Sequence, residues 1–269
     1  MRRRNFDKKK EKNGAVSEEN FLLNDQTSFA VREAYKSLRT NVMFSLTAGE
    51  SGRIIGVTST EKGEGKSTNS FNLALSMAET GKKILYLDCD LRLSVAAERA
   101  DLKASPGLSN ILVGLAKLDE CIQQYKDTKL SVITAGDFPP NPAELLGSAQ
   151  MEELCGTLRE RYDYIIADLP PVGLVTDAAI TSKFFDGVIF IVKEGYSHSD
   201  AIKSAVRSLE FVGARILGFV YTGSVEKRKG RYGKYGKYGK YGYRYGYGYE
   251  DYYGYGRSQE QKKDSPGSL

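Results

Sequence analysis

The sequence predicts an α/β protein with a doubly wound, mainly parallel sheet. From about residue 54, short apolar runs alternate with helix-like stretches, the pattern of β-α units. Most runs are continuously apolar, as strands must be when helices cover both faces of their sheet. A glycine-rich string also stands at the junction of the first run and the helix behind it.

The elements follow in order. Residues 28–46 read as a helix with Val31, Tyr35, Leu38 and Val42 on one face and Glu33, Lys36 and Arg39 on the other, a pattern that alone suits a solvated charged face. Strands are expected at 54–59, 84–88, 130–135, 164–168, 187–192 and 216–221. The helix after the first strand carries Phe71, Ala74, Leu75 and Ala78 at helical spacing and stops at Gly81. Another begins after Asn141, with Pro142 in its first position. His198, the only histidine, reads as a surface or helix-capping residue. Tyr86, Tyr162, Tyr164 and Tyr221 lie on or beside strands and read as packing groups.

The 269 residues suit one domain with tails: a basic N-terminus over 1–20, a folded body over 21–225 and a low-complexity segment over 226–269. A hydrophobic content of 41% excludes wholesale disorder. No apolar run reaches the ~18–20 residues of a membrane helix, so the cytoplasm is the expected compartment. Cys89, Cys121 and Cys155 form no C-x-x-C and read as small core residues. The net charge of +5 averages unlike parts: residues 1–13 carry +5 and residues 226–269 carry +6, leaving residues 14–225 at −6. A nucleic-acid-binding body is therefore not expected. Eleven of the eighteen tyrosines fall between Tyr232 and Tyr255, among Gly, Lys and Arg and without aliphatic residues, a composition that predicts flexibility.

TEKGEGKST, residues 60–68, carries the chemistry. Gly63 and Gly65 let the backbone turn its N–H groups onto phosphate oxygens, and Lys66 is placed to reach the β/γ-phosphates. Ser67 offers a hydroxyl to Mg²⁺, and the helix N-terminus adds partial positive charge. Asp88 and Asp90 follow one strand and Asp168 another. Parallel strands end on one edge, so the three carboxylates converge on the loop, where they suit metal and phosphoryl chemistry.

These motifs resemble those of the bacterial tyrosine kinases, P-loop autokinases of capsule and exopolysaccharide synthesis. GEGKST is similar to their Walker A, LYLDCDLR to their additional Walker A′, and IIADLPPV to their Walker B. PPNPAELLGS over 139–148 and EAYKSLRTN before the sheet are similar to two further family segments, the latter with Lys36 where the family's oligomer motif has Arg. The resemblance implies a P-loop fold of the deviant Walker A class, shared with partitioning and division-site ATPases, and ATP and Mg²⁺ as cofactors. It implies that Gly63, Glu64, Gly65, Lys66, Ser67 and Thr68 form the nucleotide loop, with Lys66 on phosphate. Ser67 and Asp90 would help hold Mg²⁺, Asp168 would order the metal through water, and Asp88 would accept the tyrosine proton.

The phosphoacceptors implied are Tyr232, Tyr235, Tyr238, Tyr241, Tyr243, Tyr245, Tyr247, Tyr249, Tyr252, Tyr253 and Tyr255, entering a neighbouring subunit's site. A ring-like homo-oligomer would use Glu33, Lys36 and Arg39. A separate transmembrane activator would recruit the kinase to the inner face of the membrane, and a cognate phosphatase and further protein substrates are implied. The alternative is a partitioning or positioning ATPase with water as acceptor. Such proteins carry a signature lysine five residues before the Walker lysine, where this chain has Glu61, and have no use for clustered tyrosines.

Overall fold

The computed structural model describes residues 22–46 and 52–223. The tyrosines expected as acceptors and both charged ends lie outside the described residues. Seven strands form one sheet: β1 (Arg53–Ser59), β2 (Ile84–Asp88), β3 (Gln123–Gln124), β4 (Leu130–Ile133), β5 (Tyr164–Asp168), β6 (Gly187–Lys193) and β7 (Ile216–Thr222). Their order is β3-β4-β2-β5-β1-β6-β7, and every pairing is parallel except β3 with β4. The helices are α1 (Phe29–Ser45), α2 (Lys66–Ala78), α3 (Ala96–Ala100), α4 (Leu108–Leu112), α5 (Leu118–Cys121), α6 (Pro142–Leu146), α7 (Ala149–Arg161), α8 (Asp177–Ser182) and α9 (Ser199–Phe211).

Each strand contributes to two cores, one per face, because successive side chains point to opposite sides. Ile54, Leu85, Leu87, Ile165 and Phe190 meet α7, α8 and α9 on one face; Ile55, Val57, Tyr86, Ile166 and Ile189 meet α1 and α2 on the other. The expected core of α2, Phe71, Ala74, Leu75 and Ala78, is buried, and the chain turns at Gly81 with φ +83°. Cys89, Cys121 and Cys155 are buried free thiols. Burial pushes the Cys155 thiol up to about 12.

Several sequence expectations need correction. β3 was not expected, because two glutamines give no apolar run. β4 stops at Ile133 instead of 135, since the carbonyls of Thr134 and Ala135 accept bonds from Leu108 and Ser109 at the start of α4. Tyr221 is no packing group: it stands exposed with Phe219 on edge strand β7. Val31 is also exposed, so α1 is buried mainly through its later turns, at Val42. Arg39 leaves the solvated face and bonds the Ser76 carbonyl and Glu79 at the end of α2. Steps of three residues drift by about 60° around a helix, which carries Arg39 away from Glu33 and toward the packed stripe. Glu33 and Lys36 stay outside and pair at 2.9 Å.

Candidate active site

The site sits at the carboxyl edge of the sheet, where β1 runs through the phosphate loop into α2. Gly63 and Gly65 adopt φ of +87° and +92°, values that residues with a Cβ avoid. Gly65 is the residue before the first turn of α2, so the loop delivers its backbone to the positive end of that helix. The β2–β5 register sets Asp88 directly beside Asp168. Adjacent strands are about 4.8 Å apart, so these two buried carboxylates repel one another.

Lys66 meets the acids. Its Nζ lies 2.9 Å from Asp90 and 3.4 Å from Asp168, and it donates to Ser67 Oγ at 3.1 Å. Burial opposes its charge, but Asp168 and Asp90 together outweigh that cost and hold the ammonium above its ordinary range. Asp168 is raised by burial, with Lys66 pulling the other way. Asp88 is pushed up to about 7, first by burial and then by Asp168, against the opposing pull of Ser94 and Lys66. A carboxylate near neutrality is suited to taking a proton at physiological pH.

The sequence motifs are therefore brought together, along with partners that they did not reveal. Tyr86 donates to Asp168 at 3.2 Å from the buried face of β2, and its own ionisation is pushed well up by burial. Ser94 donates to Asp88, while the backbone N–H groups of Asp90 and Leu93 bond Asp88 and Asp90. Arg92 forks onto buried Asp177 at 2.7 and 3.0 Å and ties the loop after β2 to α8.

The back of the phosphate loop is braced. The Glu64 side chain is buried, accepting from Glu61 N and Ser197 Oγ, so it supports the loop from behind. Thr222 Oγ1, Lys193 Nζ and Tyr196 Oη donate to the carbonyls of Glu64, Gly63 and Lys62. Thr68 accepts from Arg99 at 2.9 Å. His198 stands at the N-cap of α9 without a side-chain capping bond. The signal for the bracing residues was weak because each comes from a distant strand end.

The donor set fits a divalent cation. Asp168 Oδ1 is buried without a hydrogen-bond partner, beside Asp90 and the Ser67 hydroxyl. Among the described residues no three His, Cys, Asp or Glu side chains form a metal cage. Mg²⁺ in nucleotide sites takes most of its ligands from phosphate and water, so one or two side chains suffice.

Residues 52–214 match the AAA domain family. The chain is 39% identical over 191 residues to tyrosine-protein kinase CpsD of Streptococcus agalactiae, covering 70% of this chain and 80% of that one. It is 33% identical to tyrosine-protein kinase YwqD of Bacillus subtilis, over 75% of this chain and 84% of the relative. The kinase domain of the Escherichia coli tyrosine kinase ETK superposes with a TM-score of 0.70 at 30% identity, covering 77% of this chain and 80% of that one. With its phosphate loop and both acidic strand ends in place, the chain belongs to the bacterial tyrosine kinase family.

Proposed function

We propose that the protein transfers the γ-phosphoryl group of ATP to tyrosine, with Mg²⁺, and that its acceptors are Tyr232 to Tyr255 of a neighbouring copy. The observation that carries this reading is Asp88, a buried carboxylate near neutrality beside the lysine that would hold phosphate. In the transfer, the tyrosine oxygen bonds the γ-phosphorus, the bond to the ADP oxygen breaks, and the tyrosine proton goes to Asp88. Lys66, the loop N–H groups and the start of α2 offset phosphate charge. Mg²⁺, when bound, would neutralise the charge shared among phosphate oxygens, with Ser67, Asp90 and Asp168 on its side of the site.

The resemblance extends the reading to a separate membrane activator, a phosphatase, capsule or exopolysaccharide synthesis, and an oligomer built on the outward Glu33–Lys36 face of α1. Among the described residues no helix is long and apolar enough to cross a membrane. The reading treats 21–225 as the catalytic unit and 226–269 as its substrate.

The test is a phosphosite map after incubation with ATP and Mg²⁺, in a background without other tyrosine kinases. Phosphotyrosine within 232–255 is expected in the wild type and absent in Lys66→Met and Asp88→Asn. Persistence in the Lys66 variant, or no phosphotyrosine in the wild type even with a membrane activator, would overturn the reading.

A further inference from the structure

Three large apolar side chains stand exposed on loops at the carboxyl edge of the sheet. Leu93 is 49% exposed, Phe138 70% and Leu174 62%. They lie in the loops after β2, β4 and β5, which are consecutive in the sheet order β4-β2-β5, and all three loops leave the edge that carries Asp88 and Asp168. Single exposed apolar residues need no explanation, but three on adjacent loops of one functional edge do.

These loops are held by bonds that fix their backbones while leaving the apolar groups outside. Leu93 N–H donates to Asp90, and Arg92 joins the loop after β2 to Asp177 at the start of α8. Asn110 donates to Asp137 at 2.7 Å and accepts from its N–H at 3.2 Å, pinning the residue before Phe138. Gly173, next to Leu174, packs against the Thr60 carbonyl, where an added Cβ would sit 2.4 Å away. Each of the three loops is thus anchored and leaves an apolar side chain exposed at the edge that carries the carboxylates.

We propose that Leu93, Phe138 and Leu174 form the acceptor-docking rim of the phosphotransfer site, and that its occupant is the tyrosine-bearing segment 232–255 of a neighbouring copy. The inference rests on the tyrosine-kinase reading above and deepens it. The segment suits the rim on three counts. Its apolar surface is tyrosine ring alone, with no aliphatic residue, and repeated glycines let its backbone approach closely. Residues 226–269 carry +6 against −6 on residues 14–225, so charge favours the encounter. The chain also leaves the sheet at Thr222, the carboxyl end of β7, which is the same edge.

The test uses the full chain with a synthetic acceptor peptide of residues 234–248. In the triple variant Leu93→Ser, Phe138→Ser, Leu174→Ser, the KM for peptide should rise about tenfold or more, the loss of partly buried apolar contacts. The KM for ATP and the slow transfer to water should stay at wild-type values. An unchanged peptide KM beside an active wild type would overturn the rim alone. A wild type that makes no phosphotyrosine would overturn the kinase reading and the rim with it. As an independent readout, p-benzoylphenylalanine placed at Phe138 should cross-link to residues 232–255; cross-links confined to other segments would assign the rim to contacts between bodies and overturn the proposal.

Discussion

Replacing Asp88 with Asn tests the electrostatics of the site without reference to catalysis. Folding lifts the Asp88 carboxyl from its ordinary 3.8 to about 7, so between these values the folded chain holds a proton that the unfolded chain has released. Stability of the nucleotide-free protein must therefore fall as pH rises through that window. Roughly 3 pH units at 1.36 kcal/mol each gives a ceiling of about 4 kcal/mol. Asp168 is raised by the same burial and shares the repulsion, so a change of about 2–4 kcal/mol is expected. Asn keeps an oxygen to accept from Asp90 N–H and offers an amide to Ser94. Urea unfolding of wild type and Asp88→Asn, without nucleotide, should show the stability of the variant relative to wild type rising by about 2–3 kcal/mol between pH 5 and pH 8. A difference that does not change with pH, or one that falls over that range, would refute the reasoning. In the active enzyme, phosphotyrosine formation should climb as pH passes 7 in the wild type, while the variant stays inactive throughout.

Two further substitutions probe the supports of the site. Arg92→Ala leaves the fully buried Asp177 carboxylate without its guanidinium, and urea unfolding should show a loss of about 2–3 kcal/mol, partly recovered by Asp177→Asn in the same chain. Gly173→Ala drives a Cβ against the Thr60 carbonyl at the entrance of the phosphate loop, so affinity for a fluorescent ATP analogue should fall by about tenfold or more, as for other overpacked contacts.

The sheet was legible because a parallel strand buried on both faces must be apolar throughout. That rule located β1, β2, β5 and β6 to within a residue at either end, an apolar run marked the more exposed edge strand β7 as closely, and both failed at Gln123–Gln124, which is held by backbone pairing and side-chain amide bonds. The site was legible where residue types are restricted by chemistry: glycines at positive φ, a lysine at a helix start, carboxylates at strand ends. It was hidden where a common residue acquires its role only through register. Tyr86 reads as a strand aromatic until the β2–β5 pairing brings its hydroxyl to Asp168. Ser197 and Thr222 meet Glu64 from 133 and 158 residues away, a closeness that no local pattern encodes.

The surplus of acids also bears on how acceptors leave. Lys66 stands among Asp88, Asp90 and Asp168, and the body around them is net negative, so an acceptor arriving on a basic segment is attracted until it is modified. Each phosphotyrosine adds roughly −1.5 to −2 charges at pH 7, and about four cancel the +6 of residues 226–269. Further modifications make the segment as acidic as the site that produced them. The attraction that gathers substrate thus becomes repulsion of product, with no conformational device needed. A 234–248 peptide carrying no, one or four phosphotyrosines should bind the nucleotide-free protein progressively more weakly at low salt, with the difference shrinking at high salt as screening removes it. Equal binding of the three peptides at low salt would show that contacts other than charge decide release.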